Sequence, residues 1–211
     1  MYFAIEGVIG VGKTSLARLL QPFLKANVLL EVFEENPFLS DFYADRARYA
    51  FQTQIFFLLS RYRQQRSTIP QSLADNVDLI SDYMFDKDAL FARINLKGDE
   101  LEMYYRVHEA LAEKIPPPTL VVYLRASTDT LMQRIAMRDR SYERQMQRAY
   151  IEELNNTYDE FFLKQYHTSP VLTIDASNLD FVGNPEDLKM IDIKIRQAVE
   201  LAPFQPSLPL G

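Results

Sequence analysis

The stretch "GVIGVGKTS", residues 7–15, limits what this chain can fold into more than any other. Gly7, Gly12, Lys13 and Thr14 fill the fixed positions of the pattern G-x-x-x-x-G-K-[ST]. An apolar run, "MYFAIE", precedes it, and a segment of helical periodicity, "KTSLARLLQPFLKA", follows it. A strand, a glycine-rich loop and a helix in that order form a cradle for phosphate. The loop Gly7, Val8, Ile9, Gly10, Val11, Gly12, Lys13, Thr14 and Ser15 turns its N–H groups inward, and the helix adds its positive end. Lys13 supplies a mobile charge for β- and γ-phosphates, and Thr14 a hydroxyl for Mg²⁺. A chance glycine turn explains neither flank, so nucleoside-triphosphate binding is the expectation.

The rest of the chain repeats the alternation. "NVLLEVF", "NVDLISDY", "TLVVYLRA" and "PVLTIDA" read as strands. Helical patterns run from Pro37 to Arg66, then through "GDELEMYYRVHEALAEKI", "TDTLMQRIAMR", "QRAYIEELNNTYDEFFLKQY" and "PEDLKMIDIKIRQAVELA". The middle of the first is apolar nearly all round, which predicts burial. Strands alternating with helices imply α/β architecture with a five-stranded parallel sheet. With 211 residues, that order fills one domain, 1–202, and leaves a proline-rich tail, 203–211, expected to be poorly ordered.

Composition removes several classes. There are no cysteines, hence no disulfides, thiolate zinc sites or cysteine nucleophiles. That fits a cytoplasmic protein, as does an N-terminus without a basic signal region. No apolar run reaches the length of a membrane helix. The net charge of −6 argues against a generic nucleic-acid binder, so an anionic ligand needs a local basic cluster. Arg134, Arg138, Arg140, Arg144 and Arg148 supply one, and the polar break "RDRSYERQ" suggests an arginine-rich lid over a transferring phosphoryl group. Asp82 ends "VDLISD", where a second Mg²⁺-associated carboxylate belongs.

The acceptor follows from charge. No guanine-reading Asn-Lys-x-Asp element is present, which disfavours a GTPase switch. An enzyme acting on a nucleoside monophosphate needs a cation beside the second strand, yet "EVFEENPFLSDF" has none before Arg46. A neutral hydroxyl fits better and gives a carboxylate there the task of taking its proton. Among Glu31, Glu34 and Glu35, Glu31 is the one attached to the apolar strand. A nucleoside-monophosphate kinase and a non-catalytic P-loop binder remain the rivals.

These motifs resemble the deoxynucleoside kinase family, in particular its bacterial deoxyadenosine/deoxyguanosine kinase branch, from the P-loop to about Phe181. The resemblance implies an ATP- and Mg²⁺-dependent, homodimeric kinase of deoxynucleosides, serving nucleotide salvage. It makes Glu31 the general base, with Val32 where the family often has proline. It implies that Tyr43 and Glu143 bind the sugar. Gln54 then reads the base, with Arg61, Asp88 and Phe91 around it. "SDYMFDK" resembles the family's Asp/Glu-Arg-Ser element with Asp82 as its acid, but Tyr83 replaces the arginine, and Lys87 is the candidate for its charge. Arg138 and Arg140 correspond to the lid, and Arg134, Asp180 and Phe181 to the surroundings of the ATP adenine. Gln54, Arg61 and Asp88 suit purines or cytosine over thymine, and the "EENPF" signature favours purines.

Overall fold

The computed structural model describes residues 1–32 and 35–200. Phe33, Glu34 and the tail expected at 203–211 lie outside the described residues. Five strands form one sheet: β1 (Tyr2–Glu6), β2 (Asn27–Leu29), β3 (Leu79–Ser81), β4 (Leu120–Arg125) and β5 (Val171–Asp175). Their order is β2-β3-β1-β4-β5, and every pair is parallel. β1 is central, with Phe3 opposite Ile80 on one side and Leu120 on the other. All five of its residues are buried, which is why it reads as an unbroken apolar run ending in one acid. The carboxyl ends of β1 and β3 face the crevice where open α/β sheets bind ligands.

The helices are α1 (Lys13–Leu24), α2 (Leu39–Ala44), α3 (Arg46–Ala74), α4 (Lys87–Asn95), α5 (Gly98–Ala112), α6 (Thr128–Arg138), α7 (Arg148–Glu160) and α8 (Pro185–Ala198). One strand and four helices differ from the sequence expectation. β2 stops at Leu29, so Glu31 sits two residues beyond the strand rather than on it. The helical segment from Pro37 splits at Asp45, whose φ of −144° breaks α2 and whose carboxylate then caps α3 by accepting from the Arg48 N–H at 3.3 Å. α3 continues past Arg66 to Ala74. α4 follows a loop that offered no long periodic pattern. The helix expected through Tyr166 ends at Glu160 and passes into a π-helical turn, Phe161–Gln165.

α3 also reverses the burial expected of it. Its buried face is Ala50, Thr53, Gln54, Leu58, Arg61, Tyr62, Gln65 and Ile69, while Phe56 and Phe57 are half-buried and Leu59 is 38% exposed. Of this face, Thr53, Gln54 and Arg61 line a cavity, Gln65 donates to the Tyr83 carbonyl at 3.3 Å, and Ala50, Leu58, Tyr62 and Ile69 pack in the core.

Candidate active site

The phosphate loop is shaped by its glycines. Gly12 holds φ at +105°, and a Cβ there would lie 2.8 Å from the Phe181 ring. A Cβ on Gly7 would lie 2.4 Å from the Leu124 carbonyl oxygen. Lys13 Nζ folds back on the loop and donates to the carbonyls of Gly7 at 2.7 Å and Val8 at 3.2 Å. Burial, and after it the Lys87 ammonium, push Lys13 down to about 8 against the pull of Glu6, Glu31 and Asp82.

A cavity of about 270 Å³ opens above the loop. It brings together Ile9, Gly10, Gly12, Lys13, Thr14 and Ser15 with Glu31, Tyr43, Gln54, Arg61, Asp82, Lys87, Phe91, Arg138, Arg140 and Glu143. Elements far apart in sequence thus meet around one cavity.

Glu31 is the hub. Its N–H donates to Asp82 Oδ1 at 2.8 Å, which fixes the loop after β2 to the end of β3. Its Oε1 accepts from Arg61 Nε at 3.0 Å and also from Nη2, and its Oε2 from Lys87 Nζ at 2.6 Å. Burial pushes its carboxyl up, but Arg61 and Lys87 outweigh burial and hold it well below the usual carboxylate range. Thr14 Oγ1 donates to Asp82 Oδ2 at 2.5 Å, so the hydroxyl and the carboxylate expected near Mg²⁺ are adjacent.

Lys87 delivers its charge to Glu31. Tyr83, where the resemblance implies arginine, turns away from the cavity and donates its hydroxyl to Gln64 Oε1 at 2.7 Å. Asp88 does not line the cavity. It is fully buried behind Arg61 and pairs with Arg61 Nη1. Tyr43 stacks on Tyr142, with centroids 6.1 Å apart and planes 14° apart.

The five arginines divide. Arg138 donates from Nη2 to Glu143 Oε1 at 2.6 Å and Oε2 at 2.7 Å, and Arg140 lies 3.7 Å from the same carboxylate. Glu143, on the 3₁₀ turn Ser141–Glu143, is buried. Arg144 and Arg148 pair outside the cavity with Asp139 and Asp129. Arg134 lies on the other flank of the loop, donating to the carbonyls of Val11 at 3.3 Å and of Ala176 and Leu179 at 2.9 Å. With Phe181 against Gly12 and the Asp180 carboxylate bound to the Gly183 N–H at 2.9 Å, it shapes the loop 176–183 beside the phosphate cradle. Val8 and Val11 are core residues of the loop.

Sequence reasoning passed over several residues. Glu6 is fully buried under the loop, accepting from the Met84 N–H at 2.7 Å and the Gly7 N–H at 3.2 Å. Burial raises its carboxyl above the usual range against the pull of Lys87 and Lys13. An acid closing an apolar strand was the available signal. Thr53, Phe57, Tyr142 and Tyr150 also line the cavity. Nothing in their spacing separates them from core or surface.

A family model described as deoxynucleoside kinase matches residues 3–200. A deoxyguanosine kinase of Bacillus subtilis is 33% identical over 201 residues, covering 94% of this chain and 97% of its own. A deoxyadenosine kinase of Dictyostelium discoideum is 33% identical over 192 residues, covering 89% and 76%. The solved structure of deoxyadenosine kinase from M. mycoides, with products dCMP and a flexible dCDP bound, superposes with a TM-score of 0.81 at 27% identity, over 93% of this chain and 99% of that one. A P-loop on a sheet of order β2-β3-β1-β4-β5, with an acid hub between loop and cavity and a match over nearly the whole length, leaves one assignment: this chain belongs to the deoxynucleoside kinase family.

Proposed function

We propose that the chain transfers the γ-phosphoryl group of ATP to the 5′-hydroxyl of a purine deoxynucleoside, and that the residues above divide the work. The observation that carries this reading is Glu31: a carboxylate in the same cavity as Lys13 and Thr14, already ionised and held from two sides. Of the cations lining that cavity, Arg61 and Lys87 are both taken up by Glu31, which leaves the inner end without a ready site for an acceptor's phosphate. That disfavours a nucleoside-monophosphate kinase.

In this reading Gln54 reads the base, Phe91 and Arg61 border it, and Tyr43 and Glu143 hold the sugar 3′-hydroxyl. Glu31 accepts a hydrogen bond from the 5′-hydroxyl, orients it toward the γ-phosphorus and takes its proton as the O–P bond forms. Lys13, Arg138 and Arg140 balance the charge on the equatorial oxygens during transfer. Arg134, Asp180 and Phe181 border the adenine. Thr14 and Asp82 are hard oxygen donors, too few alone for a cage but suited to an ion that takes most ligands from phosphates and water. Mg²⁺ held there would neutralise phosphate charge. The arginine segment 138–144 acts as the lid. The reading includes a homodimer across α3 and α5, where Leu59, Leu73 and Met103 are exposed. It also places the enzyme in the cytoplasm. No helix among the described residues is long and apolar enough to cross a membrane.

The test is a steady-state panel of deoxyadenosine, deoxyguanosine, deoxycytidine, thymidine and deoxyadenosine monophosphate, with ATP–Mg²⁺. The purine deoxynucleosides should show the highest kcat/KM. Turnover of the monophosphate alone, or ADP release with none of the four nucleosides, overturns the reading.

A further inference from the structure

Thr53 is fully buried, it lines the cavity, and its hydroxyl oxygen has no hydrogen-bond partner. A helical threonine or serine with nothing else to meet bonds the carbonyl three or four residues back. Elsewhere in this protein they do so: Thr157 Oγ1 donates to the Glu153 carbonyl at 2.9 Å, and Ser67 Oγ to the Arg63 carbonyl at 3.1 Å. Thr53 makes no such bond. Its backbone is nevertheless fixed, because its carbonyl accepts from Asn36 Nδ2 at 3.3 Å while Asn36 Oδ1 accepts from the Phe38 N–H at 3.0 Å. The next residue repeats the pattern. Gln54 is 2% exposed, lines the same cavity, and its Oε1 is also buried without a partner. Buried polar atoms are ordinarily paired, and two adjacent unpaired ones on a cavity wall are the mark of a surface completed by a ligand.

We propose that Thr53 is a specificity-determining residue whose hydroxyl hydrogen-bonds an exocyclic substituent of the purine base, beside the edge that Gln54 reads. A hydroxyl both donates and accepts, so it serves an exocyclic carbonyl or an amine equally. Aliphatic replacement removes that bond and keeps the shape. The inference rests on the deoxynucleoside reading of the cavity and adds to it a residue with no assigned role.

The experiment compares the unaltered enzyme, Thr53→Val and Thr53→Ser. Substrates are deoxyguanosine, deoxyadenosine, deoxyinosine and purine 2′-deoxyriboside, which has no exocyclic group. Thr53→Val should lower kcat/KM about tenfold on the preferred natural purine, near the upper end for one neutral hydrogen bond. It should leave purine deoxyriboside within about twofold, and Thr53→Ser should restore most of the loss. The Tm of the free enzyme should not fall in Thr53→Val, since no native bond is lost, while the Tm rise given by the preferred nucleoside should shrink. Equal kcat/KM with all four substrates overturns the role. So does a uniform loss that includes purine deoxyriboside and comes with a lower Tm. If Thr53→Val does not fold, Thr53→Ala on the same panel takes its place. Failure of the unaltered enzyme to turn over any deoxynucleoside would refute the proposed function. Turnover with unchanged ratios in Thr53→Val would refute only Thr53's part.

Discussion

ATP binding should weaken as pH rises through about 8, because Lys13 titrates there in the free enzyme. Its ammonium is enclosed by loop carbonyls and faces Lys87 as well as Glu6, Glu31 and Asp82. Bound phosphates would restore the charged form, so the apparent Kd should scale as 1 + 10^(pH − 8). The factor is about 1.1 at pH 7 and roughly elevenfold at pH 9, the last worth about 1.4 kcal/mol. Tyr43 and Tyr150 do not interfere, since burial holds Tyr43 well above its usual value and pushes Tyr150 up to about 12. Lys87→Met removes the like-charged neighbour and should move the break to higher pH, whereas Glu6→Gln should move it lower. Stability carries the opposite sign. The unfolded chain keeps this proton to about 10.4 and the folded one loses it near 8, so Lys13 makes the apo enzyme more stable with rising pH across that window. The assay is calorimetric titration of ATP–Mg²⁺ from pH 6.5 to 9.5 at fixed ionic strength. A flat Kd, or a break that moves down in Lys87→Met, refutes the reasoning.

Glu31→Gln should lower kcat at least ~10²-fold, the low end for a positioned base, with ATP affinity retained. Glu35→Gln, on an exposed residue, should stay within about twofold, and equal losses in single-turnover assays would remove Glu31 from its role. Because Glu31 is held below the usual carboxylate range, it contributes stability above about pH 4.3 that is lost as pH falls through its folded value, so urea unfolding of Glu31→Gln should show a shallower loss of stability below pH 5. Gly12→Ala must adopt φ near +105° and meet the Phe181 ring, which should cost about 1–3 kcal/mol and abolish the nucleotide-induced Tm shift. Retained nucleotide binding would show that the loop tolerates a side chain there.

The sheet was legible because burial on both faces writes itself as unbroken apolar runs, as in β1 and β4. The cradle was legible because phosphate contact through backbone N–H groups demands glycine at fixed places. α3 misled for the opposite reason. Periodicity counts apolar residues, and here polar Thr53, Gln54, Arg61 and Gln65 face inward while Leu59 faces out. A helix that packs on the core and also walls a cavity mixes the two patterns, so the inward polar residues Thr53, Gln54 and Arg61 mark the cavity side among apolar Leu58 and Ile69. α4 escaped because it is short and begins with the buried charges Lys87 and Asp88, whose partners come from elsewhere in the chain.

Glu31 shows how much of a site is decided by contacts that no local pattern encodes. The sequence places three acids after β2, and attachment to the apolar run singles out the first. In the structure the strand ends before it, and what singles it out is Asp82 on its backbone and two cations on its side chain. Those cations make Glu31 a weak base in the free enzyme, yet they guarantee that it is ionised at neutral pH. For a loose phosphoryl-transfer transition state that is the more useful property. In the proposed reaction the 5′-hydroxyl needs an ionised acceptor to aim it, and its proton is lost late, as the O–P bond forms. Arg61 spans Glu31 and the fully buried Asp88, while Lys87 takes the other oxygen of Glu31. In the proposed reaction a hydroxyl entering here competes with Lys87 and Arg61 for the Glu31 carboxylate.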